Sequence, residues 1–287
     1  TLTFDERDSA SNGFCIKYVG EGETVISGGQ KIGSFTLHDE EKNIYSAKVP
    51  EGMLFRQLYV DGKKMTRARS NTDFSTRIVG ASRFNEDGTM IPEHLNYWGE
   101  DSLVPASYGE IYLNANEFQN FNNLTDVELH VLTAWVKNVL RVKAAETKDG
   151  ITTIRIQDNE NRLIFNRLHP NIDGYSHMST HDFVYYIENA YELIDGDNEW
   201  YLDESTDTVY IKVPENTDIN SSEVVIPRLE KLISTGTTDG SKIQNLSFEG
   251  LTFRYSNWTV PSTDGLVDVQ AGMYASYCLF KTNGVGI

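Results

Sequence analysis

The chain is short of positive charge. Its 287 residues carry 25 Lys+Arg against 42 Asp+Glu, a formal net charge of -17. That sign excludes a phosphate backbone as a general partner, because nucleic-acid binding needs a basic face. It also disfavours anionic membrane surfaces. Long apolar runs are missing too: no stretch approaches the ~18 consecutive apolar residues of a membrane-spanning helix. Cysteine is scarce, with only Cys15 and Cys278. Two buried free thiols are the expected state; a disulfide between them stays open, since sequence carries no geometry. Without a matching histidine cluster, two cysteines argue against structural zinc. No G-x-S-x-G elbow is present. GEGE at 20–23 and GVG near the end lack the Lys-Ser/Thr of a phosphate-binding loop. No secretory signal opens the chain. It starts on TLTF and stops on NGVGI, both reading as cuts through structure, so a mature or partial chain is expected.

What is present is β patterning, and the 39% hydrophobic composition suffices for a real core. LTF, FCIKYV and TVISGG read as short strands in residues 1–30. SFTLHD, NIYSAKV and FRQLYVDG follow as an antiparallel meander, with Asp61-Gly62 as a type I′ hairpin turn. Residues 71–109 read as loop with short turns. In DVELHVLTAWV, Val127, Leu129, Val131 and Thr133 alternate with Glu128, His130 and Leu132, a strand with one buried face. DFVYYIENAYELI, residues 182–194, is a short helix candidate because Val184, Ile187, Tyr191 and Ile194 fall near helical spacing. Trp200–Leu202 and Thr208–Ile211 form a hairpin in which Trp200 and Tyr201 are packing residues. From about 223 onward, short apolar runs with Asn or Gly at the corners recur, as in stacked β-solenoid coils.

Four segments resemble one known family. IQNLSFEGLTFRYSNW resembles a coil of right-handed parallel β-helix carbohydrate-active enzymes. FRQLYVDGKKMTRAR, IENAYELIDGDNEWYLDESTDTVYIKVP and TVISGGQKI resemble further segments of the same enzymes. The nearest named family is glycoside hydrolase family 141 and its neighbours. The resemblance runs from about residue 2 to 287. It implies a mainly β fold: parallel β-helix coils interrupted by an inserted antiparallel, sandwich- or barrel-like domain. The implied boundaries are residues 1–30 for the first coil, 31–222 for the insertion and 223–287 for resumed coils, truncated at the C-terminus. The implied activity is hydrolysis of glycosidic bonds in cell-wall or related polysaccharides by a carboxylate pair, without cofactor or metal, in a secreted, cell-surface or periplasmic protein. In the family the acids lie in later coils, so the chain is expected to lack them. Two rival readings are a non-catalytic carbohydrate-binding or scaffolding module and a β-helix polysaccharide lyase.

Glycoside hydrolysis requires two carboxyl groups about 5–5.5 Å apart for retention, or about 6.5–9.5 Å for inversion. Within the coil region the candidates are Asp264 and Asp268. Trp258 would stack on a sugar ring and Gln270 would bond a hydroxyl; the alternative is a coil-capping Trp and solvated turn residues. His177 and His181 are four apart, but Ser179-Thr180 between them reads as a helix cap rather than part of a metal motif. His94 and Trp98 lie in an irregular loop.

The one basic concentration is Arg56, Lys63, Lys64, Arg67 and Arg69 around the Asp61-Gly62 turn. Arg67 and Arg69 share a strand face. Their expected role is pairing with carboxylates where insertion and coils meet, such as Glu249 or those of GEGE. The functional rival is recognition of an acidic sugar.

Overall fold

A computed structural model describes residues 1–70, 75–91, 107–132, 137–158, 160–161, 183–236 and 242–257. The strands are β1 (Leu2–Phe4), β2 (Ile16–Ser27), β3 (Gly29–Ile32), β4 (Thr36–Asp39), β5 (Ile44–Lys48), β6 (Tyr59–Val60), β7 (Lys63–Lys64) and β8 (Thr66–Arg67). They continue with β9 (Gly80–Phe84), β10 (Met90–Ile91), β11 (Tyr108–Asn114), β12 (Glu128–Leu132), β13 (Lys137–Lys148), β14 (Ile151–Ile156) and β15 (Val184–Glu188). The last five are β16 (Glu199–Asp203), β17 (Thr208–Lys212), β18 (Val224–Pro227), β19 (Ile233–Thr235) and β20 (Leu246–Arg254). The protein is mainly β and its sheets are mostly antiparallel. A seven-stranded sheet runs β10-β9-β11-β14-β13-β12-β15, a five-stranded one β4-β5-β17-β16-β8 and a four-stranded one β3-β18-β6-β7. Among the described residues, parallel pairing occurs in β1–β19, β2–β20 and β8–β16.

Alternating apolar residues build two cores. The seven-stranded sheet buries Ile111, Leu113, Leu129, Val131, Leu140 and Ile154 beneath Phe118 and Phe121. The four- and five-stranded sheets share Phe55, Leu58, Trp200, Leu202, Ile211 and Ile226; Phe55 stacks on Trp200 at 5.4 Å. The Asp61-Gly62 turn forms as expected. Both residues have positive φ, 48° and 75°, and Tyr59 and Val60 pair with Lys64 and Lys63. The β16–β17 hairpin likewise pairs Trp200 with Ile211, and Trp200 and Tyr201 are both buried.

Four expectations are corrected. The helix expected over 182–194 is strand β15 followed by a 3-10 turn at Tyr191–Leu193. Its helical spacing is incidental, because Tyr185 to Glu188 are buried on both faces of the strand. The loop expected over 71–109 contains β9 and β10, which pair with each other and through β9 with β11. The separate strands expected at FCIKYV and TVISGG are one, β2, with a register irregularity between Val19 and Thr24. Cys15 is exposed rather than buried.

Segment 66–70 ties the large sheets together. The Ala68 N–H donates to the Trp200 carbonyl at 2.7 Å, and the Asn189 N–H donates to the Ala68 carbonyl at 2.8 Å. Ser70 N–H donates to the Ile187 carbonyl at 2.8 Å, and Arg69 bridges Glu188 in antiparallel sense. Arg67 and Arg69 therefore lie at the seam between the sheets.

Candidate functional site

On β12 the residues expected to face solvent are buried as deeply as their neighbours: Glu128 is 2% exposed and His130 1%. The register sets Glu128 directly opposite Glu188 of β15 and His130 opposite Tyr186. Two carboxylates facing each other across a sheet repel. Arg67 resolves the conflict. Its Nη1 donates to Glu128 Oε2 at 2.9 Å and lies 3.5 Å from Glu188 Oε1, while its Nε donates to Asn189 Oδ1 at 3.1 Å. Arg56 grips both oxygens of Glu128 in a two-pronged pair.

The electrostatics follow from this packing. Burial by itself pushes the Glu128 carboxyl up; the Arg56 and Arg67 guanidiniums and the His130 hydrogen bond override it and hold the group well below the usual carboxylate range. Burial pushes the His130 imidazole down, against the pull of Glu128 and Glu188. An ionised Glu128 only accepts, so His130 Nε2, 3.0 Å from Glu128 Oε2, carries the imidazole proton. Among the described residues its Nδ1 has no hydrogen-bond partner, and its ring stacks on Tyr186 at 4.6 Å. Glu128, His130 and Glu188 place one ligand atom each within 4.8 Å of one another. That donor set does not fit a cation: Arg67 already sits among the same oxygens, and two guanidiniums face two carboxylates. A divalent ion would add uncompensated buried charge. The cluster is also closed to a sugar, since its side chains are at most 11% exposed.

Of the basic cluster, Arg56 and Arg67 pair with carboxylates, but not with those anticipated. Glu249 pairs with Lys17 at 2.7 Å and Glu23 with Arg254 at 3.0 Å. Lys63 and Lys64 are exposed. Sequence reasoning missed Glu128, His130 and Glu188. The available signal was a Glu-x-His pair on one face of a strand, in a chain whose spare arginines lacked partners.

The surface offers a different feature. An open groove of about 580 Å³ is lined by Gln30, Glu51, Leu54, Arg228, Glu230 and Asn257, among others. It lies where the loop after β5 meets the ends of β18 and β20. Gly28, two residues before Gln30, has no room for a side chain, because a Cβ there would lie 2.5 Å from Leu232 Cδ2 and 2.8 Å from the Tyr255 carbonyl oxygen. Of the SGGQ stretch, Gln30 lines the groove. Asp264, Asp268, Trp258 and Gln270 lie outside the described residues, as do His94, Trp98, His177, His181 and Cys278.

The class defined by this arrangement is a mainly β chain in which antiparallel sheets are inserted between two parallel-paired ends. Residues 43–214, more than half of the chain, match the family model of the GH141 insertion domain, and the chain belongs to that family. A solved structure titled "Glycoside hydrolase" superposes on 94% of the chain with a TM-score of 0.68 and 26% sequence identity; the chain spans 43% of the length of that protein. No curated protein matches the chain. No helix among the described residues is long and apolar enough to cross a membrane.

Proposed function

We propose that the chain is part of a carbohydrate-active enzyme that hydrolyses glycosidic bonds in cell-wall or related polysaccharides, outside the cytoplasm. The observation that carries this reading is the likeness over 94% of the chain to a glycoside hydrolase, together with the GH141 match. In this reading residues 1–30 and 223–287 belong to a right-handed parallel β-helix, and 31–222 are inserted. The parallel β1–β19 and β2–β20 pairs support it, as does the stacking of Tyr18 on its register partner Phe248 at 5.5 Å. The buried Arg–Glu cluster is structural. The acid/base carboxylates fall outside the described residues, with Asp264 and Asp268 the first to replace and Trp258 and Gln270 as sugar contacts.

The test compares this chain with the full-length gene product on a glycan panel. Hydrolysis releases new reducing ends without an unsaturated, ultraviolet-absorbing terminus. An absorbing terminus would instead identify a lyase. Binding without turnover by the full-length protein would identify a carbohydrate-binding module. If Asp264→Asn and Asp268→Asn leave turnover intact, the acids lie elsewhere in the protein.

A further inference from the structure

We infer that the free edge of β20 is the docking edge for residues 278–287, which add a third parallel strand on the side of β20 away from β2. The inference deepens the β-helix reading above, on which it rests, by naming the segment, the edge and the register. Among the described residues β20 has one partner, β2, so its other edge is unpaired. Its inward column is Leu246, Phe248, Leu251 and Phe253, all only partly buried. Phe248 marks that side. It stacks on Tyr18 at 5.5 Å, and Phe4 and Phe253 pack edge-on against it at 5.6 and 6.1 Å. An unpaired edge beside an unfinished apolar column is a template for another strand.

The sequence supplies that strand. Ile16-Lys17-Tyr18 pairs with Leu246-Ser247-Phe248 and, past a glycine-containing corner, Thr24-Val25-Ile26 pairs with Leu251-Thr252-Phe253. Cys278-Leu279-Phe280 and Val285-Gly286-Ile287 repeat this pattern on either side of Asn283-Gly284. Cys278 follows Leu246 by 32 residues, within the ~20–50 residue periods of stacked repeats. In this register Cys278, Phe280, Val285 and Ile287 extend the four inward columns, and all four are apolar. Phe280 continues the stack of Tyr18 on Phe248. On the outer side Lys281 stands opposite Glu249, which Lys17 already holds from the other flank at 2.7 Å. Residues 282–284 bulge opposite Gly250, as residues 20–23 do in β2. The alternative edge, that of β2, is blunted. Its bulge carries Glu21 and Glu23, and bulges and charges both obstruct strand addition.

Thiol labelling of the whole chain tests the docking without any substitution. Cys15 is exposed and reacts at once. Cys278, in an inward column, is expected to react about a hundredfold more slowly until denaturant unfolds the chain. Neighbouring strands lie about 5 Å apart, within disulfide reach. Oxidation of a Cys15→Ser, Leu246→Cys chain is therefore expected to join positions 246 and 278, whereas a Cys15→Ser, Ile16→Cys chain stays unbridged. The inference is overturned if Cys278 labels as fast as Cys15, if position 246 does not bridge to Cys278, or if position 16 does. If the Leu246 variant fails to fold, the labelling ratio decides. Hydrolysis of a glycan by a full-length protein whose Cys278 labels freely overturns the docking alone. A protected Cys278 in a full-length protein that cleaves no glycan overturns the hydrolase reading alone.

Discussion

Arg67 and Glu128, 61 positions apart, form a 2.9 Å ion pair whose side chains are 5% and 3% exposed. Each comes from a different sheet, so the pair fastens the five-stranded sheet to the seven-stranded one. A buried pair of this kind adds little beyond what apolar packing supplies, but breaking it strands a charge. Glu128→Gln leaves the Arg56 and Arg67 guanidiniums without their shared counter-ion. It is expected to cost about 3–5 kcal/mol in urea unfolding. Replacing Arg56, Arg67 and Glu128 together by Met or Leu is expected to cost much less. Equal losses for the single and triple variants would show that the charges themselves contribute the stability.

Acid should loosen the same seam in two stages. The unfolded chain protonates His130 near its ordinary value of 6.5, whereas burial holds the folded imidazole below that. Below pH 6.5 the unfolded state therefore binds more protons, and stability falls as pH falls. The slope per group is at most about 1.4 kcal/mol per pH unit. Glu128 acts in the same direction lower down: its folded carboxyl is held well below its ordinary 4.5, so its contribution is present above 4.5 and lost as pH falls further. The groups packed around His130 are Glu128, Glu188, Arg67, Lys137 and Tyr186. Unfolding free energy measured from pH 7 to 5 should decline less steeply in His130→Gln than in wild type. Parallel slopes would remove His130 from the account.

Much of this architecture was legible, and the illegible part has a physical cause. Asp61-Gly62 and the β16–β17 hairpin declare themselves because a turn demands particular backbone angles and a half-buried strand alternates. β12 and β15 do not, because both their faces are covered. On β15, burial on two sides erased the alternation and left an apolar spacing that mimicked a helix. On β12 the alternation was real, but its polar face, Glu128 and His130, was enclosed by arginines from a segment about 60 residues earlier. Nothing local distinguishes such a face from a solvated one. The groove was hidden for the same reason: its walls, from Gln30 to Asn257, meet only through long-range pairing.

Glycine gives a test that separates backbone conformation from packing. Gly62, at φ 75°, has room for a Cβ: the nearest atoms, Arg254 Nη1 and Tyr255 Oη, are 3.6 and 3.7 Å away. Gly62→Ala should therefore cost about 1 kcal/mol, from the left-handed backbone alone. Gly20 presents the opposite case. Its φ is ordinary, but an added Cβ would lie 2.4 Å from the Gly250 carbonyl oxygen, 2.8 Å from Leu251 Cδ2 and 2.9 Å from Thr24 Cβ. Most of these contacts are on β20, its parallel partner, and one is backbone, so the strands must part. Gly20→Ala is expected to cost about 2–3 kcal/mol and to act locally. Limited proteolysis should open β2 and β20 first, while the sheets built from residues 43–214 stay protected. Cleavage spread evenly along the chain would mean that the parallel-paired ends and the insertion unfold as one unit, and that the Gly20–Gly250 approach has no separate role in holding the ends together.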